Sequence, residues 1–323
     1  MPAIIQQYLS QLDKLFATQR GHADKSKSFK LSSAQLVMPT LSWDWPPASV
    51  GMMQINAFKF ADTMPVSSAA GQTYQASADS FSQNYRNFLN LAQTSSGPLK
   101  KMIRKARKKI AVPKGSPANE ETPDGWTVVK INNLSRWRPI WTYSDSAFEW
   151  QQKVESGSIN NPGTIVLPLK KGVKTAELLS TTDDASKTRQ AIDSNINFQK
   201  VVIKAKSWGQ ISITPGSWYD SSIISLASSS LSAQLYKQFF GPDGLLASRV
   251  SSFYVAYQVE ITFFTQGMNQ SDIKNLYQSS DIQALGVSVK PKQIEAGDRL
   301  ELVAVSPDPV IVAVGIEPMN RGG

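Results

Sequence analysis

A chain of 323 residues with no cysteine can form no disulfide, no thiolate nucleophile and no zinc site built on sulfur. Apolar residues make up 41% of it and aromatics 9%, enough to bury a sizeable core and to argue against general disorder. The formal charge of +9 is unevenly spread: residues 1–97 carry +2, residues 98–117 carry +8 and residues 118–323 carry −1, so the basicity belongs to one short segment.

Ile4, Ile5, Tyr8, Leu9, Leu12, Leu15 and Phe16 recur at helical spacing and predict an amphipathic helix. Polar residues from Thr18 to Ser28 predict a loop after it. Met1 to Phe16 lacks a basic leader followed by an unbroken apolar stretch, so it is not expected to act as a signal peptide. No run of about 18 apolar residues occurs, so no membrane-spanning helix is expected. The expected location is cytoplasmic or peripheral to a membrane.

Short strands are predicted around Leu36 to Met38 and Ile55 to Phe60, flanking a turn that holds Trp43 and Trp45 beside Pro46 and Pro47. Tyr74, Ala78, Phe81, Tyr85, Phe88 and Ala92 predict a second helix, ended by Gly97-Pro98. Three segments follow from the breakers: a mixed part over 1–97, a basic helix with a Pro/Gly-rich linker over 98–125, and a β-rich part over 126–323 that can pack with the first as one domain. In the last part, Trp126 to Ile131, Arg138 to Tyr143, Thr164 to Leu169, Gln199 to Lys206, Gly209 to Thr214, Leu300 to Val305 and Val310 to Ile316 read as strands. Phe253, Val255, Tyr257, Val259, Ile261 and Phe263 alternate along a central strand and are expected on one face. Ser146 and Glu149 form a capping-box pattern, Asp220 can cap a helix running from Ile223 to Phe239, and a short helix can start at Ser271. Strands outnumber helices without alternating with them. The fold class is therefore α+β, a mostly antiparallel β-sheet or sandwich with several amphipathic helices.

Catalytic signatures are scarce. His22 is the only histidine and sits in a polar loop, where a solvated side chain is the simpler reading. No G-x-S-x-G elbow, G-x-G-x-x-G or complete Walker A sequence occurs, so neither a hydrolase nor a nucleotide cofactor is indicated. Asp183-Asp184 and Glu120-Glu121 are the adjacent carboxylate pairs, both in polar stretches without fixed geometry. No metal or cofactor is expected. Trp43 and Trp45 are the aromatics best placed for exposed contacts; the groups around Trp208 and Trp218 and around Trp137 and Trp141 can stack on sugars, bases or headgroups, but for most of them a core position is the simpler reading.

The sharpest signal is residues 99–110. Leu99, Ile103, Ala106 and Ile110 fall on one helical stripe, and Lys100, Lys101, Arg104, Lys105, Arg107, Lys108 and Lys109 occupy the rest. Pro98 can open this helix and Pro113 stops it. Such a helix suits an anionic membrane surface, a polyanion such as nucleic acid, or a partner groove. It also suits a plain solvated face on a packed body. The leading expectation is a non-enzymatic binding or membrane-active protein, toxin-like in kind, that engages an anionic surface through the seven cations. A self-assembling coat or inclusion protein forming homo-oligomers is the alternative, with nucleic-acid binding as a further one.

Overall fold

The computed structural model describes residues 3–20, 36–37, 61–65, 73–74, 76–115, 117, 121–131, 134–170, 173, 176, 178–181, 198–265, 274–276, 282–292, 299–305 and 307–319. Six helices are delimited among them: α1 (Ala3–Arg20), α2 (Phe81–Leu91), α3 (Gly97–Ile110), α4 (Ala147–Glu155), α5 (Ser221–Ser230) and α6 (Ala233–Phe240). The strands are β1 (Leu36–Val37), β2 (Thr63–Pro65), β3 (Thr73–Tyr74), β4 (Ala76–Ser80), β5 (Trp126–Ile131), β6 (Leu134–Pro139), β7 (Trp141–Tyr143), β8 (Gly163–Pro168), β9 (Leu179–Ser180), β10 (Phe198–Pro215), β11 (Ser248–Thr265), β12 (Ile282–Ala284), β13 (Val287–Pro291), β14 (Arg299–Ala304) and β15 (Val310–Pro318).

The architecture is α+β around one nine-stranded, antiparallel sheet. Its spine is the pair β10 and β11, which run antiparallel from Phe198↔Thr265 to Ser212↔Ser252. β8 and β7 flank β10 at its two ends, and β14 and β15 flank β11 at its two ends. Two apolar clusters lie against this spine. One gathers α1 through Tyr8, Leu12 and Phe16 with Ile203, Trp208, Ile261 and Phe263. The other gathers α2, α3 and α5 with Ile211, Ile213, Phe253 and Val255.

The central strand does not keep its apolar residues on a single face, contrary to the expectation from its alternation. Phe253, Val255 and Tyr257 enter one cluster, whereas Val259, Ile261 and Phe263 enter the other. The exchange occurs at Gln258, whose φ of 52° lies in the left-handed region and offsets the alternation by one residue. The partner strand changes sides with it, from Ala205 to Ile211. For the same reason, what reads as two strands over 199–206 and 209–214 is the one strand β10.

Other boundaries move for local reasons. α1 continues to Arg20 rather than ending before Thr18, since nothing breaks a helix until Gly21. α2 starts at Phe81, because Ser80 caps it by accepting from Gln83 N and β4 pairs with β2 just before. The strand expected over 138–143 divides at Ile140 into β6, which pairs β5, and β7, which pairs β10. The single helix expected after Asp220 is two, because Ser232 caps α6 afresh, accepting from Leu235 N. The capping box at Ser146 and Glu149 is present. Ile55 to Phe60 and a start at Ser271 lie outside the described residues. The hairpin of β12 and β13 escapes notice in the sequence because its two-residue turn, Leu285 at φ 50° and Gly286 at φ 82°, puts Leu where Asn or Asp would signal a type I′ turn.

Helix α4 seats on the spine where the faces exchange. An added Cβ at Gly209 would lie 2.6 Å from the Trp150 ring, and Trp150 is buried. Gly209→Ala is therefore expected to destabilise the fold by about 1–3 kcal/mol through overpacking, measured as a lower urea midpoint with unchanged m-value.

Candidate functional site

The basic helix α3 starts on Ser96, whose side chain accepts from Leu99 N, with Pro98 in its first turn. Leu99, Ile103, Ala106 and Ile110 are each 3% exposed or less. They are packed in the cluster that holds Tyr85, Phe88 and Leu89 of α2 and Ile223 and Ala227 of α5. The stripe read from the sequence is thus the docked face of the helix.

Two of the seven cations have assigned work. The Arg107 Nε–H donates to Leu89 O at 2.7 Å and its Nη2–H to Asn90 O at 3.2 Å, so a positive charge satisfies carbonyls at the C-terminal end of α2. Lys109 Nζ donates to Ser217 O at 3.1 Å and lies 3.9 Å from an Asp124 oxygen, while Trp126 Nε1–H donates to Lys109 O. Lys100, Lys101, Arg104, Lys105 and Lys108 are exposed, and among the described residues none of them forms an ion pair. No acidic residue occurs within α3, and Lys100–Arg104, Lys101–Lys105, Arg104–Lys108 and Lys105–Lys109 are like-charge pairs four apart, each destabilising the helix by a few tenths of a kcal/mol. Tertiary burial of the stripe keeps the helix formed against that repulsion.

Between the C-terminal end of α2 and the flank of α3 lies a cleft of about 500 Å³ lined by Asn90, Ala92, Gln93, Thr94, Lys100, Ile103, Arg104 and Arg107. Three of its lining residues are cations and none is acidic. A second cavity of about 400 Å³, at α5 and the end of β15, contains Arg249, but that guanidinium is held by Glu317 Oε2 at 2.6 Å and Ile213 O at 3.1 Å. Its charge is already matched.

Among the described residues, the carboxylate pushed furthest above its ordinary range is Asp62, 3% exposed. Ser82 N–H and Oγ–H donate to its two oxygens at 2.8 and 2.7 Å, joining it to the first turn of α2. Burial pushes its pKa up to about 6, against the pull of the Ser82 hydrogen bonds and the Arg138 charge. With Arg107 at the other end, α2 is tied by an acid at its N-terminus and a cation at its C-terminus, the polarity its dipole favours.

The chain matches no protein-family model, and no curated protein matches it significantly. Its chemistry is therefore read from its own residues. Trp43, Trp45, His22, Glu120, Asp183 and Asp184 lie outside the described residues. Glu121 is exposed, and Trp126, Trp137, Trp141, Trp150, Trp208 and Trp218 are all buried. Among the described residues no three His, Cys, Asp or Glu side chains converge as a metal site, and no helix is long and apolar enough to cross a membrane.

Sequence reasoning missed a second cationic area. On the outer face of the sheet, in-register rows place Lys200 beside Phe264 and Lys204 beside Glu260, with Val303 and Lys290 next in the latter row. Lys200 Nζ sits 4.2 Å from the Phe264 ring centroid, and Lys292 pairs Glu260 at 3.5 Å. The even positions of a strand with Lys200, Lys204 and Lys206 carried that signal, hidden by the near-neutral charge of the whole segment.

Proposed function

We propose that the protein is a binding protein, not a catalyst, that adsorbs to an anionic surface through the outward face of α3. The observation that carries this is the set of five exposed cations, Lys100, Lys101, Arg104, Lys105 and Lys108, on a helix whose apolar stripe is already packed in the body. Docking fixes the helix, so its charges meet a surface without an ordering cost. The same docking leaves no stripe to sink among acyl chains, so adsorption is electrostatic and peripheral. An anionic leaflet fits best, because lipids diffuse to gather beneath a single basic face, whereas a duplex holds its phosphates fixed and calls for flanking cations to wrap it.

Co-sedimentation with phosphatidylcholine vesicles, with and without phosphatidylserine, tests this across a salt series. Binding is expected only where phosphatidylserine is present and is expected to fade as salt rises. Equal retention on neutral vesicles, or failure on both, removes the reading. Tight binding to duplex DNA with failure on vesicles would move the anion from lipid to nucleic acid.

A further inference from the structure

We infer that the cleft between the C-terminal end of α2 and α3 binds a phosphomonoester group, carried on a lipid headgroup or on a small soluble molecule. The lipid source rests on the proposed adsorption through α3; the cleft itself does not.

One wall of the cleft is cationic. Lys100, Arg104 and Arg107 are spaced four and three residues apart, so they line one flank of α3. Arg107 is not free to swing. Its Nε–H and one Nη2–H are committed to Leu89 O and Asn90 O, which leaves three of its five N–H donors in a fixed fork. Such a fork matches two phosphate oxygens, and a guanidinium keeps its charge at any physiological pH. Arg104 and Lys100 are exposed and lie on the same cleft, able to close over a ligand that Arg107 positions.

The opposite wall is also fixed. Thr94 Oγ1–H donates to Ser230 O at 3.0 Å, and the same oxygen accepts from Ser96 N–H at 3.1 Å. The connection between α2 and α3 is thus pinned to α5, and Asn90 in the last turn of α2 and Gln93 on the connection offer amides to a ligand's hydroxyls. Ile103, 3% exposed, contributes an apolar lining.

Charge and size select the ligand class. Three cations with no carboxylate among the lining residues favour an anion carrying at least two charges, which a phosphomonoester supplies and a phosphodiester does not. A volume of about 500 Å³ falls in the range of small-molecule sites and exceeds the need of a bare ion. A phosphorylated polyol, free or as a headgroup, meets both conditions.

The test compares the intact chain with Arg104→Gln, which removes a cleft cation, and Lys105→Gln, which removes an exposed cation of the same helix outside the cleft. Inositol trisphosphate titrated calorimetrically is the soluble probe. The lipid probe is a phosphatidylcholine vesicle carrying phosphatidylinositol phosphate, set against one carrying phosphatidylserine at equal surface charge. Arg104→Gln is expected to weaken inositol trisphosphate binding at least about tenfold and Lys105→Gln by less than about threefold. The intact chain is expected to prefer the phosphatidylinositol phosphate vesicle if the source is lipid. Equal losses in both variants would mean that charge alone acts; that result overturns the cleft and leaves adsorption standing. Binding of inositol trisphosphate with failure on every vesicle keeps the cleft, assigns it a soluble ligand and removes the membrane reading. An intact chain that neither binds inositol trisphosphate nor distinguishes the two vesicles overturns the cleft.

Discussion

Replacing Lys100, Lys101, Arg104, Lys105 and Lys108 together by Gln is expected to lower affinity for phosphatidylserine vesicles by about two to three orders of magnitude while leaving the protein slightly more stable. The first effect follows from about 1 kcal/mol per basic side chain near an anionic surface, reduced for screening among neighbours that share the same lipids. The second follows from the helix itself. The substitutions abolish four like-charge pairs four residues apart, each costing about 0.2–0.5 kcal/mol, and Gln has nearly the helix propensity of Lys and Arg. The buried stripe is untouched. The melting temperature is therefore expected to rise by about 1–3 °C, while co-sedimentation falls. Opposed signs separate a binding face from a merely solvated one, since a functional surface commonly sacrifices some stability. Arg107 and Lys109 are left in place because both bond carbonyl groups of the body, and their loss would mix unfolding with lost binding. Unchanged vesicle binding in the five-fold variant would reduce α3 to a solvated face.

The docked side of this helix was legible in the sequence, and what it docks on was not. Leu99, Ile103, Ala106 and Ile110 announce a stripe through spacing alone, and Ser146 with Glu149 announces a helix start through a purely local pattern. Both signals lie within a few residues. The surface that receives the stripe comes from Tyr85, Phe88, Ile223 and Ala227, and nothing local ties residue 103 to residue 223. The cleft is half legible for the same reason: Lys100, Arg104 and Arg107 share a helix flank, but the wall of Asn90 to Thr94 depends on how two helices meet. The side exchange of the spine was hidden for a local reason, since nothing in the sequence marks Gln258 for its left-handed φ. Alternation from Phe253 to Phe263 is real, yet a sheet with an apolar cluster on each side rewards apolar residues on both parities, so period two no longer reports a single face. Asp62 carried no signal at all. Its partner Ser82 lies twenty residues on, and a lone acid in a mixed segment resembles any surface carboxylate.

That lone acid gives the second large effect, a stability that falls as pH rises from about 4 to about 6. Asp62 keeps its proton in the folded state up to about 6, against an ordinary value of 3.8. Between these values the native state binds more protons than the unfolded chain, so the slope of unfolding free energy with pH is negative. The contribution is fully favourable below about pH 4 and is lost through about pH 6. The total is about 3 kcal/mol, the free-energy equivalent of a shift of roughly two pH units. Asp62→Asn isolates this contribution from the other carboxylates, which titrate alike in both proteins. An amide oxygen can accept the Ser82 N–H in place of the Asp62 Oδ1, and the Ser82 hydroxyl can turn to accept from the new NH2. The variant is expected to match the parent near pH 4 and to exceed it by up to about 3 kcal/mol near pH 8, read from urea unfolding across the range. Asp62→Ala behaves differently. It strands two buried donors at the first turn of α2 and is expected to cost about 1–3 kcal/mol even near pH 4. Parallel pH profiles for the parent and Asp62→Asn would mean that the carboxylate ionises as a surface group does, with the Ser82 bonds and the positive end of α2 offsetting the whole cost of burial.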